Sequence, residues 1–328
     1  MRYILRKLGF YLVAAWLAVT LNFLLPQLIP GNPVQLILAR ESQSAPVTPG
    51  EAAALAKLLG LGHGSLLTRY WQYLDNLAHL RLGLSVYEFP VPVTSVLRST
   101  ILWTLILVGT SLVISVLLGI TLGALAGWKR GTWLDSLVPS TTFLSSVPYF
   151  WLALLLLYLF TSVWPVFPLN GGYDSDDTVG FNAQFIGSAI THSILPALTI
   201  VISSVGGWLL GMRNMMVSTL SEDYITAAEA KGLRPRRIMI GYAARNAVIP
   251  SVAGFAISLG FVISGSLVTE IVFSYPGIGF TLLNAVQNDD YPLMQGIFLL
   301  ITLAVLIANF IVDIAYGAID PRTRQATR

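Results

Sequence analysis

Residues 99–127 read STILWTLILVGTSLVISVLLGITLGALAG, twenty-nine residues without one ionisable side chain. A bilayer's hydrocarbon core is about 30 Å thick, and a helix needs roughly 20 mostly apolar residues to cross it. This stretch has several to spare. Outward from it, similar runs occupy 8–30, 137–166, 190–212, 248–273 and 294–318. Lipid offers no partner for a backbone N–H or C=O, so each run is expected to be helical. Composition agrees: the 328 residues are 55% hydrophobic and only 11% charged, against about 25% charged in soluble domains. Too few charges remain to coat a water-facing surface, and disordered chains are poor in apolar residues. The sequence describes an all-α membrane protein with six transmembrane helices.

Two runs carry local detail. Pro139, Ser145, Ser146 and Pro148 interrupt the third before the strong stretch Phe150–Phe160, which predicts a kinked or partly interfacial start because proline removes an internal hydrogen bond. The first run exceeds the roughly 7–15 apolar residues of a signal peptide and no cleavage pattern follows. It is expected to stay as an anchor.

Lys and Arg set the orientation. Fourteen of nineteen fall on one side: Arg2, Arg6 and Lys7, the Lys129–Arg130 turn, six between Arg213 and Arg245, and Arg322, Arg324 and Arg328 in the tail. The other side has five, all within one long segment. Both termini are therefore expected to be cytoplasmic. The net charge of +3 is accounted for by this distribution, and no nucleic-acid partner is implied. The chain divides into an N-terminus with first helix at 1–30, an external segment at 31–98, a five-helix core at 99–318 and a tail at 319–328.

In the external segment, Thr48, Pro49 and Glu51 predict a short helix over Pro49–Leu59. A second helix is expected over Leu66–Leu80, with Tyr70, Trp71 and Tyr73. Glycines repeat every fourth residue at Gly119, Gly123 and Gly127, and again at Gly207 and Gly211. In lipid that spacing lets helix backbones approach closely, so both repeats predict tight packing.

Enzymatic patterns are missing. There is no Walker A sequence, no G-x-S-x-G elbow and no H-E-x-x-H. With no cysteine there is no disulfide, thiolate metal site or cysteine nucleophile. No catalytic residue and no metal ligand is assigned, and no cofactor is expected in this chain. Asp313 and Glu270 are the few acids near the spans. Asp313 is expected to bond a neighbouring helix, and Glu270 to reach water at the outer end of span five.

The longest cytoplasmic loop, within 213–247 and its flanks, contains SEDYITAAEAKGLRPRRIMIGYAARNAVIP over Ser221–Pro250. Ser221, Glu222 and Asp223 suit a helix start. Ala227, Ala228 and Ala230 favour a short helix, Gly232 suits its C′ position, and Pro235 stops continuation. Such a helix can seat in another protein's groove; equally, the arginines around it can rest on anionic lipid. Spacing alone leaves these two readings level.

At this loop the sequence resembles the inner-membrane permease subunits of ATP-binding-cassette (ABC) importers. Their E-A-A-x-x-x-G signature and distal proline are matched by Thr226-Ala227-Ala228-Glu229-Ala230-Lys231-Gly232 and by Pro250, with Thr in place of the first Glu. Phe273–Gly279, Asp290–Gly296, and Asp313 to Asp320-Pro321-Arg322 are similar to the dipeptide, oligopeptide and nickel branch. Pro30-Gly31-Asn32-Pro33 and Arg81–Ser85 match altered versions of that branch's P-G-D-P and G-D-L-G-x-S. The resemblance implies the type I importer permease fold in a bacterial or archaeal plasma membrane. It also implies a second homologous permease, two cytoplasmic ATPases carrying ATP and Mg, and an external solute-binding protein. Tyr224, Thr226, Ala227, Ala228, Glu229, Ala230, Lys231, Gly232 and Arg236 would then form the ATPase-coupling element. Ser258, Ser264, Ser266 and Thr269 on span five are candidates for the pathway, although serines bonding their own helix are as good a reading. The solute is expected to be a peptide, with an oligosaccharide close behind and nickel third. The competing class is a secondary carrier working without ATPases; an intramembrane enzyme lacks the residues it needs.

Overall fold

The computed structural model describes residues 2–28, 65–262 and 267–319. The expected helix at Pro49–Leu59, the Pro30–Pro33 motif, Ser264, Ser266 and the tail from Asp320 lie outside them. Among the described residues, four helices are long and apolar enough to cross a membrane: α1 (Arg2–Leu28), α3 (Val93–Trp128), α6 (Ala183–Leu220) and α13 (Tyr291–Ile319). A fifth candidate is a broken pair, α4 (Trp133–Ser146) and α5 (Tyr149–Leu157), the latter continued by a π-helical turn, Tyr158–Val163. The expected span 248–273 falls on two shorter helices, α10 (Ile249–Phe261) and α11 (Leu267–Val272). The remaining helices are α2 (Leu66–Ala78), α7 (Asp223–Ala230), α8 (Pro235–Ile238), α9 (Arg245–Ala247) and α12 (Ile278–Gln287). The chain forms two compact units, Met1–Trp103 with Pro276–Arg328, and Thr104–Tyr275.

In the first unit, α1 and α13 pack antiparallel and are laced near both ends. Lys7 Nζ lies 2.7 Å from Asp313 Oδ2, and the Tyr11 hydroxyl donates to the same oxygen at 2.8 Å. Asp313 does bond a neighbouring helix. At the far end, Asn22 Nδ2 donates to the Gln295 carbonyl at 2.9 Å and Gln295 Nε2 donates to the Asn22 carbonyl at 3.1 Å. Helix α2 joins there: the Tyr70 and Thr20 hydroxyls bond at 2.7 Å, and Asn22 Nδ2 donates to the Tyr73 hydroxyl at 3.3 Å. Burial pushes the Tyr73 phenol above its usual range, against the Asn22 hydrogen bond that lowers it.

Two motifs distant in sequence meet in this unit at Asp290, which is fully buried. Its Oδ2 accepts from the Ser85 hydroxyl, from Val86 N–H at 2.8 Å and from Tyr87 N–H at 3.0 Å. Its Oδ1 accepts from Leu293 N–H at 3.1 Å, a side-chain cap on the first turn of α13. The carboxylate thus fastens the 82–92 loop onto the start of α13.

The second unit is organised by α3 and α6. A Cβ placed on Gly123 would stand 2.5 Å from the Leu209 carbonyl oxygen, and one on Gly127 would stand 2.5 Å from Met216 Cβ. Only hydrogen fits there, so the first glycine repeat is the close contact expected of it. The second is not: nothing within 4 Å meets a Cβ at Gly207 or Gly211. The close approach belongs to Gly206, one position round the helix, where a Cβ would stand 2.5 Å from the Thr141 carbonyl of α4. The predicted kink in span three is a corner of 92°. Val147 is extended, as the residue before a proline tends to be, and Pro148 starts α5.

Glu270 does not reach water as expected; it is fully buried. The chain turns back after α11, with Ser274 at a positive φ and Tyr275 N–H donating to the Glu270 carbonyl at 2.8 Å.

Glycine-dependent packing makes a paired prediction. Gly123→Val should lower the yield of folded, monodisperse protein in detergent, because overpacking costs about 1–3 kcal/mol. Gly211→Val, in open space, should leave it unchanged; fluorescence-detected size exclusion distinguishes the two.

Candidate functional site

The segment from Ser221 to Ala247 folds as a hairpin at the end of α6. That helix has 38 residues, about 57 Å at 1.5 Å per residue, against a hydrocarbon core of about 30 Å. It therefore projects beyond the bilayer, and the hairpin sits on its last turns. The new helix starts within the expected Ser221–Asp223 stretch, and Ser221 belongs to the end of α6. Its hydroxyl donates to the Ser218 carbonyl at 2.7 Å and closes α6. Glu222 is the N-cap of α7, with no side-chain hydrogen bond of its own.

Helix α7 ends as the sequence predicts. Gly232 has φ +67, a conformation that costs glycine nothing. Gly232 N–H donates to the Glu229 carbonyl at 2.8 Å, and Leu233 N–H to the Ala228 carbonyl at 3.3 Å. These two bonds make a Schellman cap, satisfying carbonyls that the helix end would otherwise orphan. Pro235 opens α8 at its first position, where a missing N–H matters least. A π-helical turn, Met239–Ala244, leads through α9 into α10.

Two residues of α7 turn inward. Ile225 and Ala228 are buried in one cluster with Met212 and Met216 of α6, Ala124 of α3, Ile238 of α8, and Ala243 and Ala247. Small side chains at 228, 243 and 247 let three segments meet over the two methionines. Ala228, predicted as part of the coupling element, thus faces this chain's own core. The exposed residues of the predicted element are Tyr224, Thr226, Ala227, Glu229, Ala230, Lys231, Gly232 and Arg236.

A polar bracket holds the same parts. Asn246 Nδ2 donates to the Tyr224 hydroxyl at 2.9 Å and to the Tyr242 carbonyl at 3.1 Å. It ties the start of α7 to the segment entering α10. Arg213 of α6 grips Asp135 of α4 with two nitrogens, Nε to Oδ1 at 3.0 Å and Nη2 to Oδ2 at 3.3 Å. Neither Asn246 nor Asp135 is singled out by the sequence. An Asp in the first turn of α4 was the available signal for the latter.

Of the pathway candidates, Ser258 donates to the Gly254 carbonyl of its own helix at 3.0 Å, and Thr269 is fully buried. Among the described residues, no three His, Cys, Asp or Glu side chains gather as a metal ion would need.

If Ile225 and Ala228 seat the hairpin, Ala228→Leu should loosen it and Ala230→Leu should not. Limited trypsin digestion after Arg236 and Arg237 should speed up several-fold in the first variant only.

Comparison with known proteins adds the following. Residues 119–325 match the family model described as binding-protein-dependent transport system inner membrane component. The chain is 31% identical to the dipeptide transport system permease protein DppB of Escherichia coli K12, with 99% of each chain covered. It is 33% identical to the di/tripeptide transport system permease protein DppB of Pseudomonas aeruginosa, with 98% of each covered. The probable D,D-dipeptide transport system permease protein DdpB of Escherichia coli K12 is 33% identical, over 96% of this chain and 94% of its own.

Proposed function

The chain belongs to the family of binding-protein-dependent transport system inner membrane components, and from that premise we propose that it is the permease subunit of an ATP-driven importer of short peptides. The observation that carries this is that the likeness to the dipeptide and di/tripeptide permeases runs from end to end of the chain. In this reading the protein crosses the membrane six times with both termini in the cytoplasm, α10 and α11 together supplying the fifth crossing. A second permease completes the pathway, an external binding protein delivers the solute, and two ATPases supply ATP and Mg from the cytoplasmic side. Ser258 and Thr269 stay candidates for the pathway, together with Ser264 and Ser266. The peptide is proposed as the solute because the relatives reported above are named for dipeptides and di/tripeptides.

The hairpin is the coupling element. Helix α7 offers the ATPase an exposed face of small side chains, Thr226, Ala227 and Ala230, edged by Tyr224, Lys231 and Arg236. Its buried face is one body with the last turns of α6 and with Ala243 and Ala247, so a push on α7 reaches the base of α10 as well. A transition between inward- and outward-facing states needs a contact that differs between them. The Asn246–Tyr224 bracket keeps such a push from being absorbed by bending within the hairpin.

Replacing Ala227 by Trp should leave the transporter assembled in the membrane but cut peptide uptake at least tenfold relative to ATP hydrolysis, as measured in proteoliposomes. Uptake by this chain alone, driven by an ion gradient and indifferent to ATP, would instead make it a secondary carrier.

A further inference from the structure

Helix α2 has more apolar face than the described residues cover. At about 100° per residue, Tyr73, Tyr70, Leu74, Leu67 and Trp71 follow one another around one side. Asp75, Thr68, Gln72, Asn76 and Arg69 fill the other. The first part of the apolar arc is used: Phe23 of α1 packs against the Tyr70 and Tyr73 rings at 5.2 and 5.5 Å. The rest is not. Leu67 is 67% exposed and Trp71 64%, and no residue of α2 is wholly buried.

The place of this uncovered edge says what it meets. Tyr70 and Tyr73 hold α2 to Thr20, Asn22 and Phe23, the last turn of the apolar span Leu5–Leu24. That turn lies where hydrocarbon gives way to headgroups. The same end of α1 shows Leu17, Leu21 and Leu24 as exposed, so the span to which α2 is tied carries an uncovered apolar surface of its own at that level. Trp and Tyr concentrate at this depth because one part of the ring is apolar and the other bonds water or headgroup. A helix with one strongly apolar and one polar face, lying at that level, settles in the plane of the interface.

We propose that α2 is an interfacial helix whose Leu67–Trp71 edge enters the headgroup–acyl boundary, while Asp75, Thr68 and Gln72 face water. The ligand of this surface is the bilayer itself. The helix then fixes the depth of the 82–92 loop that Asp290 holds, since α2 ends only a few residues before it. This inference concerns where α2 lies and does not depend on the proposed transport activity.

The absence of cysteine from the chain makes the test direct. Leu67→Cys, Ala78→Cys (Ala78 falls between Leu67 and Trp71 around the helix) and Asp75→Cys, each spin-labelled in the full transporter in phosphatidylethanolamine–phosphatidylglycerol liposomes, report collisions with oxygen, which concentrates in lipid, and with a water-soluble nickel chelate. Labels at 67 and 78 should favour oxygen several-fold over the label at 75, with or without the binding protein. Equal access of the chelate to all three overturns the proposal. So does protection of 67 that appears only when binding protein is added, which would make the edge a protein-docking surface. Labels at 67 and 78 shielded from both probes would mean that protein covers the edge, and would overturn it as well.

Discussion

Ile225 and Ala228 are the side chains that turn an exposed loop into a rigid attachment. Without their burial against Met212 and Met216, a helix of eight residues would have little reason to persist, because nucleating a helix is costly and short ones are marginal in water. With it, α7 is held at a fixed angle to α6 and to the entry of α10. The face that remains outside is therefore presented rather than merely exposed. What the proposed ATPase contact requires of this chain, a small-residue surface on a stiff mount, follows from that packing.

Stiffness continues up the unit by a different means. In lipid no hydrophobic force draws one helix to another, so close packing of backbones has to do it. The Gly119, Gly123 and Gly127 row supplies that contact against Leu209, Met212 and Met216. Met212 and Met216 thus have two partners, glycines of α3 and the hairpin core. In the proposed reading, a displacement of the hairpin would reach the α3–α6 pair through the same two side chains. Arg213, between them in sequence, adds the link to α4 through Asp135.

Much of this was legible in the sequence, for identifiable reasons. Apolar runs announce spans because the bilayer imposes a length, and Gly232 announced the end of α7 because few residues tolerate its backbone angle. The inward turn of Ala228 was not legible. In Ala227-Ala228 neighbouring residues are alike, so no hydrophobic contrast tells the buried one from the exposed one. Proline predicted a bend at Pro148 but carries no information on its size. Gly207 and Gly211 have the spacing of a contact without being one, since spacing does not say which face has a neighbour. Asp290 and Ser85 stand 205 residues apart, and nothing local in either motif declares the other. Glu270 reads as a surface acid until the turn at Ser274 and Tyr275 closes over it.

Cross-linking tests the central claim most directly. Single cysteines at Ala227, Ala230 and Ala228 would be introduced in turn, and the assembled transporter treated with a short thiol-to-amine reagent through the nucleotide cycle. The account predicts capture of the ATPase subunit from 227 and 230, in amounts that change with nucleotide, and none from 228. Capture from none of the three while peptide still enters under ATP, or equal capture from 228, would contradict it.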